Sequence, residues 1–383
     1  MHRLIIKISV LLFFIIPSAF ADISIPFDQQ LDFMIVKLGV NKKDSLNFIF
    51  DTGAYQTIID SKTAKILGLQ KTDILYDKKS DQIVDRSQWN KIYFDNAILL
   101  PSIDLYMIDL NKLSEIIGLR IDGVIGYDLL KQFPVHIHMS SQQLVLYNDK
   151  YNPAPEAKKI KLIVERGKPM IEAGLHFYNN KQMSGKFLID SGSAFPVSVY
   201  GGGENKPSQE DLPEIYEFYS VGLFGNVKEK LGGNIEQLKF GELAFNKVPI
   251  CMEKEEWNEN KAYGGILGAE LIKKFNLILD FDNHISYWEP NDNFHEPFRI
   301  NKLGIVLRRD TDKDKIYVKH VFEESIAKKF DIQENDIVLR INGVELKLLP
   351  MTKIYRMMEG KIEQMVLERG DHRKYIHFRP VSR

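Results

Sequence analysis

A single cysteine, Cys251, stands in a chain of 383 residues. No disulfide can form within the chain, and no cysteine cluster can hold a metal. Cys251 lies in the apolar run KVPICME, the setting of a buried, inert thiol rather than a nucleophile. Charge of one sign is also missing: 51 Lys and Arg against 52 Asp and Glu leave −1. That balance supplies no basic field for nucleic acid and none for an anionic membrane, so neither is expected as a partner. The spacings G-x-S-x-G, H-E-x-x-H and the phosphate-binding loop do not occur; YGGGENK is rich in glycine only. His136 and His138 alternate along one strand face, but two imidazoles are too few ligands. They read as structural, and no metal or cofactor is expected.

Long apolar runs are confined to the N-terminus. MHRLIIKISVLLFFIIPSAFAD pairs a basic start with an apolar stretch from Ile8 to Ile16 and a small-x-small end at Ala19-Phe20-Ala21. The stretch is short against the roughly 20 residues a membrane span needs. It reads as a secretory signal covering residues 1–21, cleaved after Ala21, and so as a periplasmic or secreted protein. A retained leader would instead make a membrane-anchored scaffold.

What is present is a repeat. NFIFDTGAYQTII around Asp51 is echoed by GKFLIDSGSAFPVSVY around Asp190. Each runs apolar residues into Asp-Thr/Ser-Gly, then a small residue, then more apolar residues. A second echo follows each: IDGVIGYDLLKQF contains Val124-Ile125-Gly126, and GGILGAELIKKF contains Ile266-Leu267-Gly268. Aligning the two final glycines sets Asp128 over Glu270 and Phe133 over Phe275 without a gap. Short runs rich in β-branched and aromatic residues predict strands throughout, with a short helix after each apolar-apolar-Gly element. Polar, proline-bearing links follow each half: DKYNPAPEAKK and EPNDNFHEPF.

One Asp-Thr/Ser-Gly triplet would read as a turn. Two, in matching frames, resemble the aspartic proteases of the pepsin and retropepsin superfamily, with FDTGA and IDSGS as the paired motifs. The resemblance implies a mainly β, bilobal acid-protease β-barrel fold with pseudo-two-fold symmetry, its retropepsin-like lobes at 22–150 and 151–290. It implies that Asp51 and Asp190 are catalytic, activating a water between them to cut a peptide or protein substrate. Thr52, Gly53 and Ala54, with Ser191, Gly192 and Ser193, would support the loops, Thr52 and Ser191 bonding across the lobes. Both aspartates lie in one chain, so a monomer suffices. Ser193 faces Ala54 in the alignment; a hydroxyl at 193 would favour ionised Asp190 and leave the proton on Asp51. Gly232-Gly233 is expected at the tip or flank of a mobile hairpin in the second lobe. The counterpart in the first, YDKKSDQIVDRSQWN, has no glycine.

From about Phe298 the texture changes. Leu303-Gly304-Ile305 followed by YVKHVFEESIAKKFDIQENDIVLRINGV resembles a PDZ domain, a small α+β unit at 298–383, with Asn335 where the family usually has glycine. The resemblance implies a short helix at SIAKKF, a strand at DIVLRINGV, a groove helix at TKIYRMMEG and a closing strand at YIHFRP. Leu303, Gly304 and Ile305 would form the loop that holds a C-terminal peptide ligand. The residues leave open whether that groove is accessible. They also leave open a non-catalytic peptide-binding or sensor protein on the same scaffold.

Overall fold

The computed structural model describes residues 22–378, apart from 31, 78–81, 96, 149, 201–206, 222–226, 254–263, 299–302, 311–314 and 322–324. The segment expected to be a leader, residues 1–21, lies outside the described residues. Among those described, no helix is long and apolar enough to cross a membrane.

Strands dominate, and the two halves are wired alike. In the first, strand Lys43–Phe50 runs parallel to Gly123–Ile125, which lies antiparallel to Ile58–Asp60. In the second, Gln182–Asp190 runs parallel to Gly265–Gly268, which lies antiparallel to Val197–Val199. Ile58–Asp60 and Val197–Val199 each pair in parallel with the second strand of a long hairpin, Ala97–Ile108 and Leu243–Glu253. A one-turn helix follows each apolar-apolar-Gly strand, Tyr127–Leu130 and Ala269–Ile272. The repeat legible in the sequence is thus a repeat of pairing.

The halves join through six strands, three from each. Ile23–Gln30, Gln143–Leu146 and Val135–His138 meet Phe275–Asp280, Ile285–Pro290 and Lys158–Lys161, with Ile137 opposite Leu277 at the seam. Phe275–Asp280 is buried along its whole length, so FNLILD shows no polar/apolar alternation, and Asn276 and Asp280 are buried with its apolar residues. Val135–His138 alternates instead: His136 and His138 share the less buried face, with rings 5.1 Å apart. His136 Nδ1 lies 3.0 Å from the Tyr147 hydroxyl, and burial, then His138, push its pKa down to about 4. Among the described residues no group of three metal-ligating side chains forms. Cys251 is buried, its Sγ 3.0 Å from Ser198 Oγ.

One apolar core runs through both halves. Trp288 is fully buried at the seam, edge-on to Phe240 and Phe275, its indole N–H donating to Ser286 Oγ. Trp288→Ala is expected to cost about 3–5 kcal/mol of unfolding free energy in urea melts. A change below about 1 kcal/mol would mean the seam repacks around the void.

Residues beyond 303 have a core of their own. Their sheet runs Ile305–Asp310, Lys315–Val321, Ile337–Ile341, Gln364–Arg369, His372–His377, with helices Ile326–Lys329 and Met351–Glu359. Ser325 caps the first helix by accepting the Lys328 amide. Asn335 adopts φ 70°, the left-handed turn that glycine would take and that asparagine tolerates. Buried Asp336 beside it receives a two-pronged bond from Arg369, at 2.7 and 2.9 Å.

The long hairpins depart from expectation in one place. Gly232 and Gly233 sit inside strand Val227–Phe240, not at its tip. Tyr216 lies across Gly232, and a Cβ there would come within 2.1 Å of the ring. In the first half Asp73–Asp77 and Gln82–Phe94 form a hairpin, with Trp89 exposed at φ 58°. In the second, Tyr216–Val221 pairs with Val227–Phe240; the turns at 78–81 and 222–226 lie outside the described residues.

Candidate functional site

Two strands end on the two aspartates, and the two halves of the chain are bonded to each other there. Asp51 follows Lys43–Phe50; its amide donates to the Ile125 carbonyl at 3.2 Å. Asp190 is the last residue of Gln182–Asp190. Thr52 Oγ1 donates to the Ile189 carbonyl at 2.8 Å and accepts the Ser191 amide at 3.0 Å. Ser191 Oγ donates to the Phe50 carbonyl at 2.9 Å and accepts the Thr52 amide at 3.1 Å. Both residues are buried. Each hydroxyl therefore does for the opposite loop what its partner does in return, and four bonds fix the loops' spacing.

The apolar-apolar-Gly elements pass beneath. Tyr127 N–H donates to the Ala54 carbonyl at 2.9 Å, and Ala269 N–H to the Ser193 carbonyl at 2.7 Å. A Cβ on Gly126 would lie 2.5 Å from Gln56 backbone; one on Gly268, 2.1 Å from the Phe195 carbonyl oxygen. Val124 and Ile125, and Ile266 and Leu267, are buried on either side. Only glycine fits where these chains cross.

The carboxyl groups of Asp51 and Asp190 lie near enough for each to perturb the other's ionisation. Each is faced by the other loop's glycine: a Cβ on Gly53 would lie 2.3 Å from Asp190 Cγ, and one on Gly192 2.4 Å from Asp51 Oδ2. Desolvation is the largest influence on both and raises both, and neighbouring negative charge raises Asp190 further, well above 3.8. Both residues are half-buried, and two desolvated carboxyls this near hold one proton between them.

That proton's location reverses the sequence expectation. Asp51 Oδ1 accepts two amides, Gly53 at 2.8 Å and Ala54 at 3.1 Å. Asp190 Oδ1 accepts one, from Gly192 at 2.9 Å. Among the described residues the Ser193 hydroxyl makes no bond to Asp190; its backbone N–H turns to the Asp190 carbonyl at 3.2 Å. The richer set of donors favours charge on Asp51, and Asp190 carries the proton.

Asp128, outside both Asp-Thr/Ser-Gly motifs, is a further supporting residue. It accepts the Thr57 amide at 2.9 Å and the Thr57 hydroxyl at 2.6 Å, while Thr57 Oγ1 accepts Gly126 N–H at 3.2 Å. This ties the segment after Ala54 to the element beneath it. In the other half Glu270 is paired with Lys273, which also reaches Asp32 at 3.2 Å. The signal was present in the repeat alignment, where the two acids coincide.

The second feature is a groove. Strand Ile305–Asp310 is the edge of its sheet, and helix Met351–Glu359 lies alongside it. At its mouth Leu303, Gly304 and Ile305 fold over the first helix, the Leu303 carbonyl accepting Ala327 N–H at 3.0 Å. Further along, Tyr355 of the helix donates its hydroxyl to the Leu307 carbonyl at 2.6 Å, and Arg308 braces both. A peptide adding as a strand needs such edge carbonyls. Tyr355→Phe is expected to tighten binding of C-terminal peptides about two- to tenfold, the worth of one net hydrogen bond, in fluorescence titrations. Unchanged or weaker binding would show that Tyr355 does not compete with ligand.

A search of the curated proteins finds no match for the chain. The PDZ domain family model matches residues 295–368, which include the groove strand and helix. PDZ domains in general bind peptide C-termini. Residues 295–368 are a PDZ domain.

Proposed function

We propose that the chain is an exported aspartic endopeptidase, on a bilobal acid-protease scaffold, whose PDZ domain tethers a peptide or protein substrate. The observation that carries the reading is the pair of carboxyls, each facing the other loop's glycine, on loops joined by the reciprocal Thr52 and Ser191 bonds. Ionised Asp51 takes a proton from a water lying against both carboxyls. The water oxygen attacks the scissile carbonyl carbon as Asp190 gives its proton to the carbonyl oxygen. The tetrahedral diol then collapses: its hydroxyl proton returns to Asp190, Asp51 passes its proton to the departing amine, and the C–N bond breaks. Gly53 and Gly192 leave the carboxyls their room. One chain completes the site, so the reading requires no dimer. The leader at residues 1–21 supports export to the periplasm or beyond.

The test is digestion of a random peptide library, with and without a pepstatin-type inhibitor, followed by sequencing of new termini. Cleavage suppressed by the inhibitor is the expected result. An absence of cleavage from acid to neutral pH would overturn the reading.

A further inference from the structure

A cavity of about 1650 Å³ lies between the first half of the chain and the PDZ domain. None of the aspartate-loop residues lines it. On one side stand Lys62, Ile66 and helix Asn111–Ile117; on the other, the far end of the groove strand and the segment leading into the groove helix. Gly118 faces Met351 across the junction.

Its chemistry is one-sided. Seven Lys and Arg side chains line it against three carboxylates, so the cavity has an excess of positive charge. One of the three, Asp60, is already engaged as the cap of helix Ser61–Ile66 and by the Leu110 amide. Among the described residues the Lys62 ammonium bonds only to the neutral Asn111 side chain, and the Arg308 guanidinium to the Tyr355 hydroxyl and a carbonyl. Lys319 and Lys347 have no ion-pair partner among the described residues. Two apolar side chains, Ile66 and Leu348, are 68% and 89% exposed and line the same space.

The groove leads into this cavity. A peptide pairing antiparallel with Ile305–Asp310, its C-terminus at Leu303–Ile305, runs upstream toward Arg308 and Asp310. At about 3.3 Å per residue it passes the strand's end about five residues before its own terminus. We propose that the cavity is an extension of the peptide site, reading acidic residues that precede a ligand's C-terminus by about five or more positions. The partner it fits is a protein with an acidic, apolar-dotted C-terminal tail. This rests on the PDZ reading and is independent of the aspartate pair.

The test uses the full chain and three fluorescent dodecapeptides with one common apolar C-terminal tetrapeptide. Upstream residues are four aspartates in one, four serines in the second and four lysines in the third. The aspartate peptide is expected to bind at least about tenfold tighter than the serine peptide at low salt, the lysine peptide weakest. The gap should close as salt rises. It should also close in Lys62→Gln/Lys319→Gln/Lys347→Gln, with serine-peptide affinity unchanged. Equal affinity for all three peptides overturns the proposal and leaves the groove standing. So does displacement of the aspartate peptide by oligothymidylate as readily as by unlabelled peptide, since that marks a general polyanion site. Binding of none overturns the groove reading itself, and the proposal with it.

Discussion

Asp190→Asn is expected to lower peptide turnover by about 10²–10⁴-fold, the range that general acid–base groups contribute, while stabilising the fold at neutral pH. Both effects have one origin. Asp190 is raised well above 3.8, first by desolvation and then by Asp51. Below 3.8 the folded and unfolded chains both hold that proton, and the site carries no penalty. As pH rises past 3.8 the unfolded chain releases the proton while the folded chain keeps it, so stability falls with pH. The deficit is complete once pH passes the folded value. Asparagine is neutral throughout and has no such decline. Melting curves from about pH 3 to about pH 7 should therefore show the variant's advantage growing with pH. A melting-temperature difference that does not vary with pH would contradict the shared-proton account, whatever the activity.

Gly192→Ala is expected to be as damaging to turnover, for a steric reason. The new methyl would sit 2.4 Å from Asp51 Oδ2, far inside contact distance. Asp51 cannot step aside without losing the Gly53 and Ala54 amides that hold its charge. Displacement by about 1 Å is enough to cost on the order of 10²-fold in rate, and overpacking costs about 1–3 kcal/mol of stability. Gly185→Ala, in the strand that leads into this loop but with nothing within 4 Å of the new Cβ, is the control and should retain full activity. A Gly192→Ala enzyme as fast as Gly185→Ala would mean that the two carboxyls do not need this contact.

Much of the architecture was legible because it is written in residue types. Apolar runs halting at Asp51 and Asp190 are strands ending at paired, cross-bonded loops, and the short patterns after Gly126 and Gly268 are single helical turns. The segments named for the PDZ domain fell within a residue or a few of their elements, since SIAKKF carries its own cap and TKIYRMMEG its own apolar stripe. The misreadings share a cause. The proton assignment was argued from the Ser193 hydroxyl, whereas backbone amides decide it, and every residue there has one. Ala54 contributes more to Asp51 than Ser193 does to Asp190. Gly232 and Gly233, expected at the tip or flank of a mobile hairpin, need space for another reason: Tyr216, on a neighbouring strand, crowds the first, and Leu212 and the Glu214 carbonyl crowd the second. Tyr355 and Leu307 are distant in sequence, and nothing local in either marks their bond.

The most direct measurement sets wild type beside Asp51→Asn on one random peptide library, under identical conditions, with new termini read by mass spectrometry. The account predicts cleavage by wild type and, within detection, none by the variant. An identical product profile from the two would contradict it, since hydrolysis would then proceed without the carboxylate assigned to activate the water.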